Sequence, residues 1–490
     1  MHVSPAVVAL LIAGVAGSVL LGCSRDRTTP ASNKLPLTTA SKKARNEYLT
    51  GRDLAEKLRA TDARAHYTAA VTEDPTFALA YVGLANTAPT AADFFEAVRR
   101  ATGLVGQVSE GEAHVIRALE AGMNGRPDEQ LQHLTALVQK YPDDERARFQ
   151  LGLFYFSRQE WPQAIAEFRR ATNINPEFSQ PYNQLGYALR FMEDYAGAEK
   201  AFTKYIELIP DEPNPYDSYA ELLMKTGRFR DSIVQYQKAL SLNPNFANSY
   251  IGIGNDYIFL GESVQARNSF TTLGFIARND GERRTAHLWA AISYIHEGDT
   301  AKALDEVERM DEIAKKADDR FAMAGDLNLM GNILLETGQP DEALAAFNKA
   351  VEMVQTAIVT PDVKEATRRN YLFNAGRVAI ARKDLAVAAA TAEQYRRQVD
   401  EHKLPFEVWQ SHELRGLIAL TSGDFPMAVP ELEQANQQDP RVLFNLSRAY
   451  AGAGNGAAAK RTLDRAANYN AFSLTYAFVR TEALALLKGS

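Results

Sequence analysis

Asp217 and Glu221 lie four residues apart, which places two carboxylates on one face of a helix, the geometry that a general acid and base pair needs. No flanking residues close a pocket around them, and solvated helices carry such pairs as a matter of course. Gly252-x-Gly254 has neither the third glycine nor the preceding strand of a dinucleotide site. In Gly452-Ala453-Gly454-Asn455-Gly456, followed by Lys460, Ala459 stands where a phosphate loop requires glycine. His66, His114, His133, His287, His296, His402 and His412 are dispersed, and His412-Glu413 lacks the second histidine of a zinc-protease helix. No Gly-x-Ser-x-Gly elbow occurs either. The expectation is a chain with no catalytic residue, no metal site and no cofactor, and not an enzyme.

One position is suited to a different chemistry. Cys23 is the single cysteine, and it follows an uncharged apolar run over residues 6–21, after which Ser24-Arg25-Asp26-Arg27 turns the chain polar. Sixteen residues are short of the roughly 20 that a bilayer span needs, and fit the apolar region of a secretory signal peptide. Leu20-Leu21-Gly22-Cys23 resembles the lipobox of bacterial lipoproteins. The resemblance implies a signal peptide over 1–22, cleavage after Gly22, a diacylglycerol on the Cys23 sulfur and acylation of the new amino terminus, several chains together giving stable anchoring. The segment before the run departs from that pattern, with only His2 and the terminal amine and no Lys or Arg. Ser24 favours outer-membrane sorting, so the expected place is the envelope, facing the periplasm. Residues 24–42 are rich in Ser, Thr, Pro and Lys, so 23–42 reads as a lipid anchor with a flexible tether. No thiol follows Cys23, so stability must come from packing.

The chain carries 54 basic against 61 acidic residues, a net −7, and none of its first 23 residues has a charged side chain. A phosphate backbone calls for a dense basic face, so nucleic acid is not an expected partner.

The elements that would position any site keep a fixed period. Pro142, Pro176, Pro210 and Pro244 are each 34 residues apart. In a 34-residue frame starting at Glu145, Leu151-Gly152, Tyr155, Trp161, Ala164, Phe168 and Ala171 fall at positions 7, 8, 11, 17, 20, 24 and 27. The frame starting at Ser179 brings Tyr182, Leu185-Gly186, Tyr195, Ala198, Phe202 and Pro210 into register. This pattern resembles the tetratricopeptide repeat over residues 43–471. The resemblance implies an all-α, right-handed superhelical solenoid of helix-turn-helix units. Gly152, Gly186 and Gly254 with Ala164, Ala198 and Ala266 are small where the two helices of one hairpin cross. The aromatics at positions 4, 17 and 24 fill the space between successive hairpins, and Pro176, Pro210 and Pro244 turn the chain into the next unit.

Position 20 counts the units: Ala63, Ala97, Gln130, Ala164, Ala198, Ser232, Ala266, Ala303, Ala343, Ala388, Ala428 and Ala459, or twelve hairpins. The third is divergent, with His114, Arg117 and Gln130 off pattern. Residues 43–280 read as a regular array and 281–471 as one with longer helices, with a bend near Asn279-Asp280-Gly281. Residues 472–490 read as a capping helix over the final open face.

In this family the concave face is lined by positions 2, 5, 9, 12 and 13 of the first helix. Carried onto this chain, the resemblance points to Arg146, Phe149, Asn183, Tyr187, Arg190, Asp217, Glu221, Asn248, Asn255, Asn328 and Asn332 as a protein-binding groove. An Asn amide both donates to and accepts from an extended backbone, and aromatics and Arg anchor interfaces. The Lys and Asn clamp with which some members grip a C-terminal carboxylate is absent, since position 5 carries Phe149, Asn183, Asp217 and Ile251. The expected function is a lipid-anchored scaffold that binds other proteins, as extended segments or subunits of an envelope complex. The alternative is a carbohydrate- or lipid-binding envelope protein using the same aromatic wall.

Overall fold

A computed structural model describes residues 33–490 except Ile358, Lys403, Phe472 and Ser490. Cys23, the apolar run before it and residues 24–32 lie outside the described residues. Among the described residues all regular structure is helical, and no helix is long and apolar enough to cross a membrane.

The chain divides into two compact units between Leu222 and Leu223. Unit one contains α1 (Lys42–Glu56), α2 (Ala60–Glu73), α3 (Ala78–Asn86), α4 (Ala91–Gly103), α5 (Glu110–Met123), α6 (Pro127–Lys140), α7 (Glu145–Ser157), α8 (Trp161–Ile174), α9 (Ser179–Phe191), α10 (Tyr195–Leu208) and most of α11 (Pro213–Lys225). Unit two continues with α12 (Phe229–Leu242), α13 (Ala247–Phe259), α14 (Ser263–Ile276), α15 (Asp280–Glu297), α16 (Thr300–Lys316), α17 (Arg320–Glu336) and α18 (Pro340–Thr356). It ends with α19 (Pro361–Ala381), α20 (Leu385–His402), α21 (Pro405–Ser422), α22 (Phe425–Gln434), α23 (Pro440–Gly452), α24 (Gly456–Ala467) and α25 (Leu474–Gly489). Odd-numbered helices up to α23 are the first member of a hairpin and even-numbered ones the second, so the helices form twelve hairpins and a terminal helix. Helices lengthen from 14 residues in α14 to 18 in α15, beside the expected bend at Asn279.

All but the third hairpin are pinned by a small side chain at the crossing position. Ala63, Ala164, Ala198, Ala266, Ala303, Ala343, Ala388 and Ala428 have no exposed surface, nor has Ser232 at the same position. The last hairpin slips by one residue, burying Ala458 in place of the expected Ala459. The divergent Gln130 is tolerated because Gly122 faces it, where a β-carbon would lie 2.7 Å from the amide nitrogen. The ring at position 24 serves its own hairpin as well as its neighbour. A β-carbon on Gly152 would lie 2.5 Å from Phe168, on Gly186 2.7 Å from Phe202 and on Gly254 2.2 Å from Phe270, all within one hairpin. Gly252 makes the same room for Tyr236 of the preceding hairpin, at 2.0 Å. Between hairpins Trp161 stacks on Phe191 with centroids 4.5 Å apart. Pro142, Pro176, Pro210 and Pro244 all sit in the turn leading to the next hairpin.

The tether read from composition is held in place from residue 33 onward. Leu35 and Leu37 are buried, and Gly111 admits Leu35, whose Cδ1 lies 2.3 Å from where a β-carbon would stand. Asp144, the N-cap of α7, accepts from the Leu35 amide at 3.0 Å as well as from Arg146 and Ala147. Glu112 of the α5 capping box accepts from the Thr38 amide at 2.8 Å and from its hydroxyl. Thr39 donates to Asp74, which precedes α3, at 2.5 Å. Residues 33–39 therefore form an extended strap across the starts of α7 and α5 to the end of α2, in that order.

Candidate functional site

In unit one, α9 presents Asn183, Tyr187 and Arg190 at i, i+4 and i+7, the spacing of one helix face. Arg190 lies over the rings of Tyr187 and Phe191, 4.9 and 5.2 Å from their centroids, and donates to Glu221 of α11 at 3.1 Å. Tyr187 donates to the Ser218 hydroxyl at 3.1 Å and packs edge-on against Phe202. Burial, with the Glu221 charge nearby, pushes the Tyr187 phenol well above its usual range, so it stays a neutral donor. Asn183 is 8% exposed and its amide oxygen has no donor among the described residues. Glu221 is engaged by Arg190, and Asp217 is buried with partners of its own, so this carboxylate pair is not presented for acid-base work.

Two residues expected on this wall serve other ends. Phe149 is 1% exposed and packs between Phe168 and Phe178 as core. Arg146 turns inward to Glu56 at the end of α1, with bonds of 2.6 and 2.9 Å, and to Glu145 at 2.5 Å. Gln180 of α9 also reaches the Ala55 carbonyl, at 3.4 Å. The inner face of unit one is thus closed near α1 and lined by polar groups near α9.

In unit two Asn248 is exposed, whereas Asn255 is 4% exposed with its amide oxygen unpaired. Asn328 and Asn332 are held by local bonds: each donates to the carbonyl one turn back in α17, and Asn332 accepts from Arg377 at 2.7 Å. Beside them runs a buried ladder across the first helices of four hairpins. Arg377 donates to Glu336 at 2.5 Å, Arg441 donates to Glu336 at 3.1 Å, and Arg441 pairs with Glu413 at 2.9 Å. Burial raises the Glu336 carboxyl, but the two guanidinium groups outweigh it and leave it below its usual range. The terminal helix also lies on this inner face. Its Tyr476 ring sits 5.9 Å from Phe259 of α13, and its Arg480 meets His296 of α15 at 3.2 Å. It therefore does more than cover α24.

Sequence reasoning treated the histidines as dispersed, yet most bridge the two helices of one hairpin, 19 residues apart. His66 meets Glu47 at 2.7 Å, His287 meets Glu306 at 2.6 Å and His412 meets Glu431 at 2.8 Å. In the third hairpin the pair is His114 and His133, with Nδ1 atoms 3.1 Å apart. Burial, with the neighbouring ring for His114 and Arg117 for His133, holds both below the usual imidazole range. The constant separation of 19 was a readable signal for these pairs.

Comparison with known proteins finds the same repeat along the chain. A TPR repeat model matches residues 152–190, and tetratricopeptide repeat models match 179–212, 214–246, 285–309, 328–402 and 440–465. Superkiller complex protein 3 of Mus musculus is 28% identical over 131 residues, which is 26% of this chain and 8% of that protein. BBSome complex member BBS4 of Bos taurus is 31% identical over 97 residues, 20% of this chain and 19% of that one. The chain thus spans less than a fifth of the length of these relatives. A solved tetratricopeptide repeat protein from Parabacteroides merdae is 14% identical, covering 59% of this chain and all of that one with a TM-score of 0.36. The crystal structure of MamA is 20% identical, covering 32% of this chain and 91% of that one with a TM-score of 0.29.

Proposed function

We propose that this chain, a tetratricopeptide repeat protein, is a protein-binding scaffold held at the cell envelope through a lipidated Cys23. The observation that carries the binding half is the inner face of α9. Asn183 keeps a buried amide oxygen without a donor, in line with Tyr187 and Arg190 on one helix face. Asn183 is buried below the surface, so the half-buried Tyr187 and Arg190 are the side chains that an extended partner segment would meet. Tyr187 and the Arg190–Glu221 pair beside it give such a segment an aromatic surface and both charges to register against. The relatives named as complex members support the same reading. The anchoring half rests on the resemblance of Leu20-Leu21-Gly22-Cys23 to a lipobox.

Photo-crosslinking from position 187 in intact cells tests the face. A partner recovered with the parent chain should fall at least fivefold when Asn183→Ala and Arg190→Ala are added, with helicity unchanged. Undiminished recovery would assign binding to another surface. For the anchor, radiolabelled fatty acid should enter the parent chain and not a Cys23→Ser variant; label in both would remove the anchor from the proposal.

A further inference from the structure

We propose that α25 is a resident ligand of the inner face of unit two, and that a partner's amphipathic helix takes its place there. This stands apart from the reading of the α9 face in unit one.

A terminal helix that only seals an array needs to cover the last hairpin. The α25 helix does that, with the Tyr476 hydroxyl donating to the Ala467 carbonyl at 2.7 Å. It also engages the first helices of two earlier hairpins, and the turn leading into it engages a third. Arg480 lies 5.0 Å from the Phe259 ring centre and meets His296, 184 residues earlier in the chain. Lys225 donates to the Tyr469 carbonyl just before α25 at 2.5 Å and sits 3.8 Å over the Tyr469 ring. Such contacts are those of a helix bound in a groove.

The fit is incomplete in ways a better ligand could improve. A cavity of about 20 Å³ remains where Leu474, Thr475 and Phe478 of α25 meet Asn332, Glu336 and Arg441. The Nε of Arg480, the Nε of Arg441 and the amide oxygen of Asn255, one turn from Phe259, are buried without partners. The helix itself commits few anchors: Tyr476, Ala477, Val479 and Ala483 are buried, while Leu486 is 47% exposed. The occupant this wall fits is a helix bearing an aromatic residue, then a small one, with Arg one turn on, the order of Tyr476, Ala477 and Arg480.

A fluorescent synthetic peptide of residues 473–489 is the probe, read by anisotropy against the full chain. In the parent protein the tethered helix competes at an effective concentration on the order of millimolar, so the peptide should bind weakly. In a Tyr476→Ala, Arg480→Ala variant it should bind at least tenfold tighter, and adding Phe259→Ala should abolish that gain. A folded double variant that binds no tighter than the parent overturns the proposal, as does a dimer that the peptide leaves intact, which would assign the face to a second copy. Should the double variant not fold, hydrogen exchange on the parent decides: α25 amides exchanging faster than those of α24 support a displaceable helix, and equal protection overturns it.

Discussion

Arg146 of α7 grips the carboxylate of Glu56 at the end of α1, 90 residues earlier, through two hydrogen bonds of 2.6 and 2.9 Å. Both side chains are almost wholly buried, so removing one leaves the other out of solvent with one remaining partner, Arg52 for Glu56 and Glu145 for Arg146. Arg146→Met is expected to destabilise unit one by about 3–5 kcal/mol, and Arg146→Met with Glu56→Leu by much less. Guanidinium unfolding of the three proteins checks this; a double variant as unstable as the single one would show that the pair is not what closes the inner face.

Gly152 should not tolerate a methyl group. The helix-propensity gain of about 1 kcal/mol for Gly→Ala is opposed by overpacking against Phe168, which costs about 1–3 kcal/mol. Gly152→Ala is expected to lower the melting temperature, and Phe168→Leu in the same chain to recover part of the loss.

Asp256 is buried on α13 beside Ser232, and burial pushes its carboxyl up to about 8. A folded-state value above the unfolded one gives stability that is complete below the ordinary 3.8 and lost as pH rises toward 8. Asp256→Asn keeps the shape without the charge. Its unfolding free energy should match the parent at pH 4 and exceed it at pH 8, by an amount on the order of 5 kcal/mol.

The opposite sign applies to His296, which burial and then the Arg480 charge hold down at about 4. The folded state favours the neutral ring, so its contribution is complete above the ordinary 6.5 and is lost as pH falls toward 4. Because this ring meets Arg480, the loss should appear first in α25. Hydrogen exchange there, corrected for intrinsic rate, is expected to accelerate between pH 7 and pH 5 in the parent and less so in His296→Gln.

The strap should be a working part of unit one. Leu35→Ala is expected to cost about 2–5 kcal/mol, since Leu35 is 4% exposed against Gly111. Limited proteolysis should then cut within residues 33–40 before any hairpin opens.

The hairpins were legible because crossing helices permit so little volume that Ala164, Ala198 and Ala266 recur on a fixed period. The third hairpin showed only as a departure, since the match of Gln130 with Gly122 is a pairing across helices that no single period reveals. The inner face was harder to read. Which of its residues reach outward depends on how tightly successive hairpins curl, a sum of small rotations that the repeat frame does not contain. So Phe149 went to the core, Arg146 to Glu56 and Asn332 to Arg377, while Asn183, Tyr187 and Arg190 stayed on the wall. The strap was hidden by composition. Ser, Thr, Pro and Lys read as solvated chain, and only Leu35 and Leu37, two apart as in an extended segment with one buried side, hinted otherwise.

An ideal repeat array behaves as a one-dimensional chain of nearest-neighbour couplings, and loses stability by graded steps when shortened from either end. The strap breaks that rule, because Leu35 is seated on Asp144, 109 residues away. The first four hairpins should therefore melt as a single cooperative block. During synthesis, the strap cannot dock until the fourth hairpin has followed it from the ribosome.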